Sequence, residues 1–388
     1  MFEFFQYTFP NDLHIHWSLM IVMYPYITGL VAGAFIVSSF YHVFQKQEYK
    51  PIGRFSLLAS LAFLVCATLP LLNHLGHPER AFNIMVTPNF TSAMAGFGIL
   101  YTSYLVILVL EVWLVFRRDI VQYATTYTGL KAIPYKIMTL GIYDVSEEAL
   151  KIDHRVITLL ATIGIPSACL LHGYVGFLFG AIKANPWWST PLMPIIFLFS
   201  AVVSGIALLI ILYQVVSAAR GEEVSQECLR GLTRWLWYFQ IQTVTLELLE
   251  IITLSYEKNE AWEIIFPLLT HQLAFSFISV QMILGSLIPF VLLLITVLMD
   301  KYLHAKVRNA LTFSASVLLL IQVFSMRWNV VIGGQMMSKS LRGLRDFAPE
   351  FLAKEGILPA ILIFSLPFVL LYILVKLLTP FKKMESNG

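Results

Sequence analysis

The clearest shortage in this sequence is charge. Asp, Glu, Lys and Arg supply 13% of its 388 residues, whereas 58% are hydrophobic. Soluble domains carry about 25% charged residues, so the composition excludes a water-soluble enzyme and a disordered chain. A net charge of +3 is too small for the basic surface that tracks phosphates. We therefore expect a membrane protein that does not bind nucleic acid.

Cysteine is also scarce. Cys66, Cys169 and Cys228 are widely separated, which excludes a disulfide framework, a CxxC redox motif and a cysteine-ligated cluster. Any iron–sulfur chemistry should then lie in another subunit. Dihaem b-type cytochromes need histidine pairs inside helices, and His172 alone lies well inside an apolar stretch. The outer histidines lack the spacing of zinc ligands. We expect neither haem nor metal in this chain.

Long polar stretches are rare as well, and apolar ones dominate. A bilayer core of about 30 Å needs about 20 apolar residues of helix, and nine stretches meet this requirement. Their ranges are 17–43, 55–75, 90–116, 156–181, 190–217, 235–256, 271–299, 308–332 and 356–379. None shows the alternation of a membrane barrel strand. The sequence predicts an all-α integral membrane protein with about nine transmembrane helices.

The distribution of lysine and arginine predicts the orientation of these spans. Most of these residues follow spans one, three, five, seven and nine, and cytoplasmic loops carry the excess. We expect an N-terminus outside and a C-terminus in the cytoplasm. The N-terminal residues lack a basic region and a cleavage site, so we expect no cleaved signal peptide. Trp187, Trp188 and Trp262 in the outer loops would either anchor in the lipid interface or dock a protein.

Ionisable residues inside spans are costly and usually functional. At ~1.5 Å per residue from each helix start, the polar residues of four spans reach one level in the outer half of the membrane. They are Tyr24 and Tyr26 on span one, His172 and Tyr174 on span four, Glu247 and Glu250 on span six, and Arg327 and Asn329 on span eight. Such convergence indicates a site.

Each of these residues also has a structural interpretation. His172 could be a packing residue or a ligand. Glu250 and Arg327 could form a static salt bridge, or Glu250 could carry protons with Glu247 as the next carrier one turn away. We expect Glu111 to be a boundary residue whose carboxylate reaches water. Buried Glu and Arg, with broken helices such as VMYPYITG and LGSLIPF, leave a secondary transporter open, although no matched pair of interrupted helices is found.

Several segments together resemble a known family. HLGHPERAF followed by TSAMAGFGILY resembles the loop after span two of the NrfD/polysulfide-reductase membrane subunits. LLHGYVGFLFGAIKANPWWSTPLMPIIFLFSAVVSG is similar to their fourth and fifth spans, and LELLEII and SMRWNVVIGG resemble the longer members, including the hydrogenase-associated branch. His74 stands where the family usually has an acidic residue, which puts a proton role at that position in doubt.

The resemblance implies a haem-free quinone-interacting membrane anchor of a respiratory oxidoreductase. Such subunits exchange electrons between membrane quinone, either menaquinone or ubiquinone, and an extracytoplasmic ferredoxin-like iron–sulfur subunit, often attached to a molybdenum enzyme. The chain would be catalytic only as part of that complex, in a bacterial or archaeal cytoplasmic membrane. Eight helices would form two four-helix bundles, with spans one to five in residues 1–230 and spans six to nine in residues 231–388.

The resemblance also suggests roles for particular residues. The quinone would lie near the outer face, within the first bundle. The alignment of GLVAG places Tyr24 at the level of a quinone-binding histidine of shorter members. We expect Tyr24, His172 and Tyr174 to surround the quinone ring. His172 is the better candidate for proton exchange, since histidine titrates near neutrality, and Glu250 and Arg327 complete the predicted catalytic set.

Overall fold

The structure, a computed structural model, describes residues 14–258 and 260–381. Nine long helices account for most of this part of the chain. They are α1 (Leu19–His42), α2 (Lys50–Ala67), α3 (Ala93–Thr126), α4 (Glu147–Gly180), α5 (Met193–Arg220), α6 (Gln226–Glu257), α7 (Ile288–Leu298), α8 (Ala305–Trp328) and α9 (Ile357–Leu378).

Short helical segments connect these helices. The α-helical and 3₁₀ segments are Gln47–Tyr49, Leu69–His74, Pro78–Arg80, Asn83–Val86, Gly129–Lys131, Ile133–Met138, Trp262–Pro267 and Gly334–Met336. Three segments are π-helical: Leu268–Gln272, Phe275–Leu287 directly before α7, and Asn329–Gly333 directly after α8. Within residues 14–258 and 260–381 there is no strand, apart from one isolated bridge between Met337 and Leu344.

Eight of the described helices are long and apolar enough to cross a membrane. This confirms an all-α integral membrane protein. The sixth predicted span lies in α6, which is 32 residues long but is not among the eight. Gln240, Glu247 and Glu250 make this helix more polar than its neighbours. The expected total of about nine therefore consists of eight candidate spans and one long polar helix.

Helix α1 occupies the centre of the protein. Of its most apolar 18-residue window, 94% is buried, because α2, α4, α5 and α8 all pack against it. The closest approach is to α5, where Gly33 lies against Ala201 and Gly205. The spacing of Gly29 and Gly33 matches the small-xxx-small pattern that brings membrane helices together. Helix α1 thus has almost no surface for lipid.

Helix α9 returns to the beginning of the chain. It packs chiefly on α2, with Phe368 edge-on against Phe63 at 5.2 Å between ring centroids. Phe364 lies 5.8 Å from Tyr26 of α1. The ninth helix is therefore a neighbour of the first two helices, and the division of the chain near residue 230 remains a proposal.

The loops meet in two groups, one at each end of the helices. At the end that we propose to be outer, Glu355 contacts Ser18 and lies 2.8 Å from His74, and the Gln335 side chain exchanges hydrogen bonds with the backbone of Trp17. The opposite end contains four ion pairs between arginine and aspartate, namely Arg54–Asp119, Arg117–Asp153, Arg230–Asp300 and Arg308–Asp300. The grouping matches the predicted alternation of loops.

Candidate functional site

His172 lies inside the protein, near the C-terminal end of α4. Its side chain is 1% exposed and packs beside the Phe197 ring, with 6.2 Å between centroids. A Cβ atom on Gly29 of α1 would come within 3.3 Å of the imidazole Cε1. The glycine therefore makes room for the imidazole ring between α1, α4 and α5.

Arg327 completes this site from α8. Its guanidinium Nη2 donates to His172 Nε2 at 3.1 Å, to Ser200 Oγ at 2.8 Å and to the Phe197 carbonyl oxygen at 3.2 Å. The guanidinium carbon lies 3.7 Å from the centroid of the Phe197 ring. Arg327 is 0% exposed, so its charge is buried. The three groups that accept hydrogen bonds from Nη2 are neutral. The structure thus brings together two predicted residues, His172 and Arg327.

Arg327 also determines which tautomer His172 adopts. A guanidinium only donates hydrogen bonds, so His172 Nε2 must accept and the neutral imidazole carries its hydrogen on Nδ1. Within the described part of the chain, Nδ1 is buried and has no hydrogen-bond partner. A buried donor of this kind is costly unless another group satisfies it. His172 therefore presents one free N–H group inside the protein.

The expected ion pair between Glu250 and Arg327 does not form among the described residues. Glu250 is half-buried, and its Oε1 atom has no hydrogen-bond partner there. Glu247, one turn earlier on α6, is the carboxylate within electrostatic range of Arg327. The interpretation of Glu250 as the partner of Arg327 was wrong. The two glutamates lie at similar depth, so depth could not distinguish them, and the rotation of α6 points Glu247 at α8.

Glu247 is held by amide side chains. Gln281 donates to it at 2.9 Å and Gln322 at 3.2 Å. Asn329 donates to the Gln281 oxygen at 2.7 Å and accepts from Ser276 at 2.6 Å. The network lies between the two π-helical segments Phe275–Leu287 and Asn329–Gly333, and π-helical turns are frequent at functional sites.

Three further residues of this site, Gln281, Gln322 and Ser200, were not predicted from the sequence. All three are nearly inaccessible, and each was visible only as a polar residue within an apolar stretch. Uncharged amides and hydroxyls are common in membrane helices, where they bond to other helices. Only the packing of α5, α8 and the π-helical segment Phe275–Leu287 shows that these three side chains surround the Glu247 and Arg327 charges.

The two predicted tyrosines lie apart from this network. Tyr174 donates to the Ala93 carbonyl oxygen at 2.9 Å, and the Tyr24 ring stands edge-on to Phe97 at 5.4 Å. Both therefore approach the first turns of α3. The Tyr24 hydroxyl is buried and has no hydrogen-bond partner within the described residues. No hydrogen bond or ring contact joins either tyrosine to His172 in that part of the chain, although Tyr24 and Gly29 share α1.

Glu111 is not a boundary residue. Its side chain is 0% exposed, and both carboxyl oxygens are buried without a hydrogen-bond partner within residues 14–258 and 260–381. A carboxylate that reached water would be accessible. The prediction failed because span boundaries give the depth of a residue, while the face of α3 that carries Glu111 turns inward together with Tyr104 and Leu108.

Trp187 and Trp188 neither anchor in lipid nor form an exposed docking surface. They are 6% and 5% exposed. The Trp188 indole donates to the Val330 carbonyl oxygen at 2.6 Å and stacks on Trp17 at 5.2 Å. The loop between α4 and α5 thus folds inward. Its tryptophans cover the ends of the helices beside the segment Asn329–Gly333, which directly follows Arg327 and Trp328.

Trp188→Ala is expected to destabilise the protein by about 3–5 kcal/mol, as truncation of a buried aromatic does. The Val330 carbonyl would also lose its donor. Thermal unfolding of the purified chain in detergent measures this effect. Tyr256, an aromatic residue that is 88% exposed, provides the control Tyr256→Ala, which should unfold at the parental temperature. Equal unfolding temperatures for both variants would contradict the packing role of Trp188.

The same region contains no cluster of metal ligands. Among the described residues, no group of three or more His, Cys, Asp or Glu side chains could hold a metal ion. The site instead contains the buried cation of Arg327 and the carboxylate of Glu247, which accepts hydrogen bonds from amide side chains. Within the described residues it also contains an unpaired N–H group on His172 and an unpaired hydroxyl on Tyr24. These groups can hydrogen-bond a carbonyl ligand and exchange protons with it.

The chain is similar to several known proteins, some of which are named as reductase subunits. It is 35% identical over 210 residues to a selenate reductase subunit of Mesobacillus selenatarsenatis, covering 53% of this chain and 49% of that protein. It is 28% identical over 198 residues to protein NrfD of Escherichia coli, covering 50% and 58%. An Hdr-like menaquinol oxidoreductase integral membrane subunit of Archaeoglobus fulgidus is 24% identical over 218 residues, covering 56% and 47%.

The chain thus spans about half the length of the curated relatives that it matches. The family profile described as polysulphide reductase, NrfD, covers much more of this chain and matches residues 9–339. This range contains Tyr24, His172, Glu247 and Arg327, together with all helices except α9. The chain belongs to the polysulphide reductase, NrfD, family.

Proposed function

We propose that this protein is a haem-free, quinone-interacting membrane anchor of a respiratory oxidoreductase. It exchanges electrons between membrane quinone and an extracytoplasmic ferredoxin-like iron–sulfur subunit, which passes them to or from a molybdenum-containing catalytic subunit. Family membership supports the anchor role, and a relative named as a menaquinol oxidoreductase subunit supports the choice of quinone. Relatives named as reductase subunits support a catalytic partner.

The observation that carries this proposal is that two buried groups, the Tyr24 hydroxyl and His172 Nδ1, have no hydrogen-bond partner in the described part of the chain. Each group is a hydrogen-bond donor, and both lie in the proposed outer half of the membrane, Tyr24 on α1 and His172 on α4. Leaving such a donor buried and unpaired costs about 1–3 kcal/mol, and a quinone carbonyl accepts hydrogen bonds of this kind. The residues present therefore fit a quinone, which supplies two-electron, two-proton redox chemistry when bound.

In this proposal the side chains divide the tasks. Tyr24 and His172 donate to the ring carbonyls, and Tyr174 shapes the wall at the start of α3. Arg327 holds His172 in the tautomer with hydrogen on Nδ1, so Nδ1 donates to the quinone oxygen and is the atom that can pass a proton to a reduced quinone. Glu250 and Glu247 are proposed carriers that pass protons along one face of α6.

Because Trp187 and Trp188 are buried, they do not belong to the docking surface proposed for the iron–sulfur subunit. Exposed apolar side chains remain in the outer segment between α2 and α3, where Phe82, Val86 and Phe90 are 63%, 78% and 81% exposed. Arg80 lies beside them and is exposed too. Aromatic residues and arginine are enriched in protein interfaces, which supports this segment as the contact with the partner.

An ion-translocating membrane protein is the second candidate function. It is favoured by the Glu247 network, because a buried carboxylate beside non-standard helix turns is typical of ion pathways. Purification in mild detergent distinguishes the two candidates. An anchor copurifies with an iron–sulfur protein whose cluster is reduced by added quinol, whereas an ion translocator remains alone.

Tyr24→Phe tests the quinone site. Because the hydroxyl has no partner among the described residues, its removal should leave folding unchanged. Loss of one neutral hydrogen bond to the quinone should slow quinol-dependent turnover of the complex by about two- to tenfold. Stopped-flow or steady-state quinol oxidation measures this.

The matched control lies two residues away on the same helix. The Tyr26 hydroxyl donates to the Leu320 carbonyl oxygen at 3.2 Å, so Tyr26→Phe should weaken packing slightly and leave turnover at the parental rate. If Tyr24→Phe turns over quinol as fast as Tyr26→Phe, the Tyr24 hydroxyl takes no part in quinone binding.

A further inference from the structure

An arginine-lined cleft opens at the end of the helices opposite the His172 site. It lies between α6, the end of α7 and the start of α8. Its polar lining consists of Arg230, Thr233, Arg234, Thr296, Asp300 and Arg308. None of these residues has a part in the proposed quinone site, so the cleft needs an explanation of its own.

The charges in the cleft do not balance. Asp300 is the sole carboxylate of the described lining, and it faces Arg308 Nε at 2.9 Å and Arg230 Nε at 3.1 Å. Arg308 is further held by the carbonyl oxygens of Asp300 and Leu303 at 2.8 and 3.1 Å. Arg234 is exposed and forms no ion pair within the described residues. Three guanidinium groups thus share one carboxylate, leaving an excess of positive charge.

This donor set favours a phosphate group. The planar guanidinium fork matches phosphate oxygens in a bidentate manner, and Arg230, with 43% of its side chain exposed, can turn toward a ligand together with Arg234. Arg308, with 3% exposed, stays as the fixed base of the cleft. The site is therefore built around one buried arginine that the backbone holds in place.

The face of α6 beside the cleft indicates where the phosphate comes from. Arg234, Tyr238 and Ile241 follow at helical spacing on one face, and the latter two are 50% and 38% exposed. Leu298, at the end of α7, is 68% exposed. A phosphate at Arg234 would thus have apolar side chains directly below it, toward the membrane interior. Free phosphate needs no such surface, whereas acyl chains do.

We propose that this cleft binds the headgroup phosphate of an anionic phospholipid. Arg234 and Arg230 contact the phosphate, and the acyl chains lie along Tyr238, Ile241 and Leu298. Basic clefts between membrane helices near the surface commonly hold such headgroups. The bound lipid joins α6 to α7 and α8, at the far end of the helices that carry Glu247 and Arg327.

Arg234→Gln in the full chain tests the proposal. The protein is purified in neutral detergent and titrated with phosphatidylglycerol or phosphatidylcholine, and native mass spectrometry counts the lipids retained. Loss of a charged contact should weaken phosphatidylglycerol binding about tenfold and leave phosphatidylcholine binding unchanged. Because Arg234 is exposed and has no ion pair among the described residues, the variant should unfold at the parental temperature, which the same samples can show.

Arg118→Gln is the matched control. Arg118 is exposed near the same end of the helices, on α3, and outside the cleft, so its variant should retain phosphatidylglycerol as the parent does. Equal phosphatidylglycerol retention by all three proteins would overturn the site. Inorganic phosphate that binds as tightly as phosphatidylglycerol, measured by calorimetry, would overturn the lipid as its source.

Discussion

Glu247→Gln is expected to destabilise the protein by about 3–5 kcal/mol, because removal of one partner leaves a buried charge uncompensated. Arg327 is fully buried. Its hydrogen-bond partners in the described structure are uncharged groups of His172, Ser200, Phe197 and Met326. Glu247 is the anion within its electrostatic range. The variant should accumulate poorly and elute as aggregate in size-exclusion chromatography.

The control is Glu250→Gln, one turn further along the same helix. Glu250 has an unpaired carboxyl oxygen and no ion pair with Arg327 among the described residues, so this variant should assemble normally. The opposite ranking, with Glu250→Gln the more damaging, would restore Glu250 as the partner of Arg327.

The double variant Glu247→Gln/Arg327→Met separates a structural role from a functional one. Removal of both charges is often nearly neutral for stability, so assembly should recover. If Glu247 also carries protons released at the quinone site, quinol turnover of the assembled complex should stay slow. Full turnover in the double variant would exclude the carrier role and leave a purely structural pair.

Gly33→Leu is expected to prevent accumulation of the folded protein. A Cβ atom at this position would lie 2.6 Å from the Ala201 carbonyl oxygen and 2.6 Å from Gly205 Cα. Both are backbone atoms of α5, so no side chain can move aside. Separation of α1 from α5 would undo the packing on which the His172 site depends, at a cost of about 3 kcal/mol or more. Membrane-fraction immunoblotting and fluorescence-detected size-exclusion chromatography measure the outcome.

Gly173→Ala provides the comparison for this variant. Gly173 is also in a membrane helix, next to His172, but its nearest contact would be the Pro194 carbonyl oxygen at 3.8 Å. An added methyl group fits there, and alanine favours helix more than glycine. This variant should accumulate at the parental level. Normal accumulation of Gly33→Leu would contradict the close approach of α1 and α5.

The sequence was sufficient for features that depend on length and depth. Hydropathy located the spans, and depth along each helix placed His172 and Arg327 at a common level, where they are in contact. Depth could not select Glu247 over Glu250, because residues three apart share a helix face and only packing sets the rotation of α6. Glu111 failed for the same reason, since a hydropathy window does not say which face turns inward.

The outer loops show a different limit. Trp187 and Trp188 had the composition of an interface, and the loop folds them into the core instead. The partners responsible are Trp17, from the start of α1, and Val330, from the turn after α8. These contacts join residues far apart in sequence, so a local pattern carries no information about them. The network of Gln281 and Gln322 around Glu247 arises from similarly distant contacts.

The packing of α9 on α2 affects how the protein is made. Translation delivers α2 to the membrane early, but α9, the helix that covers its Phe63 face, follows only after the six helices α3 to α8. Contacts between distant segments form slowly, and surfaces exposed meanwhile favour misassembly. Until α9 is inserted, the face of α2 that later packs against protein is exposed to lipid or to an insertion factor. An interrupted chain would keep that face uncovered, which gives membrane proteases a structural signal for recognising incomplete copies.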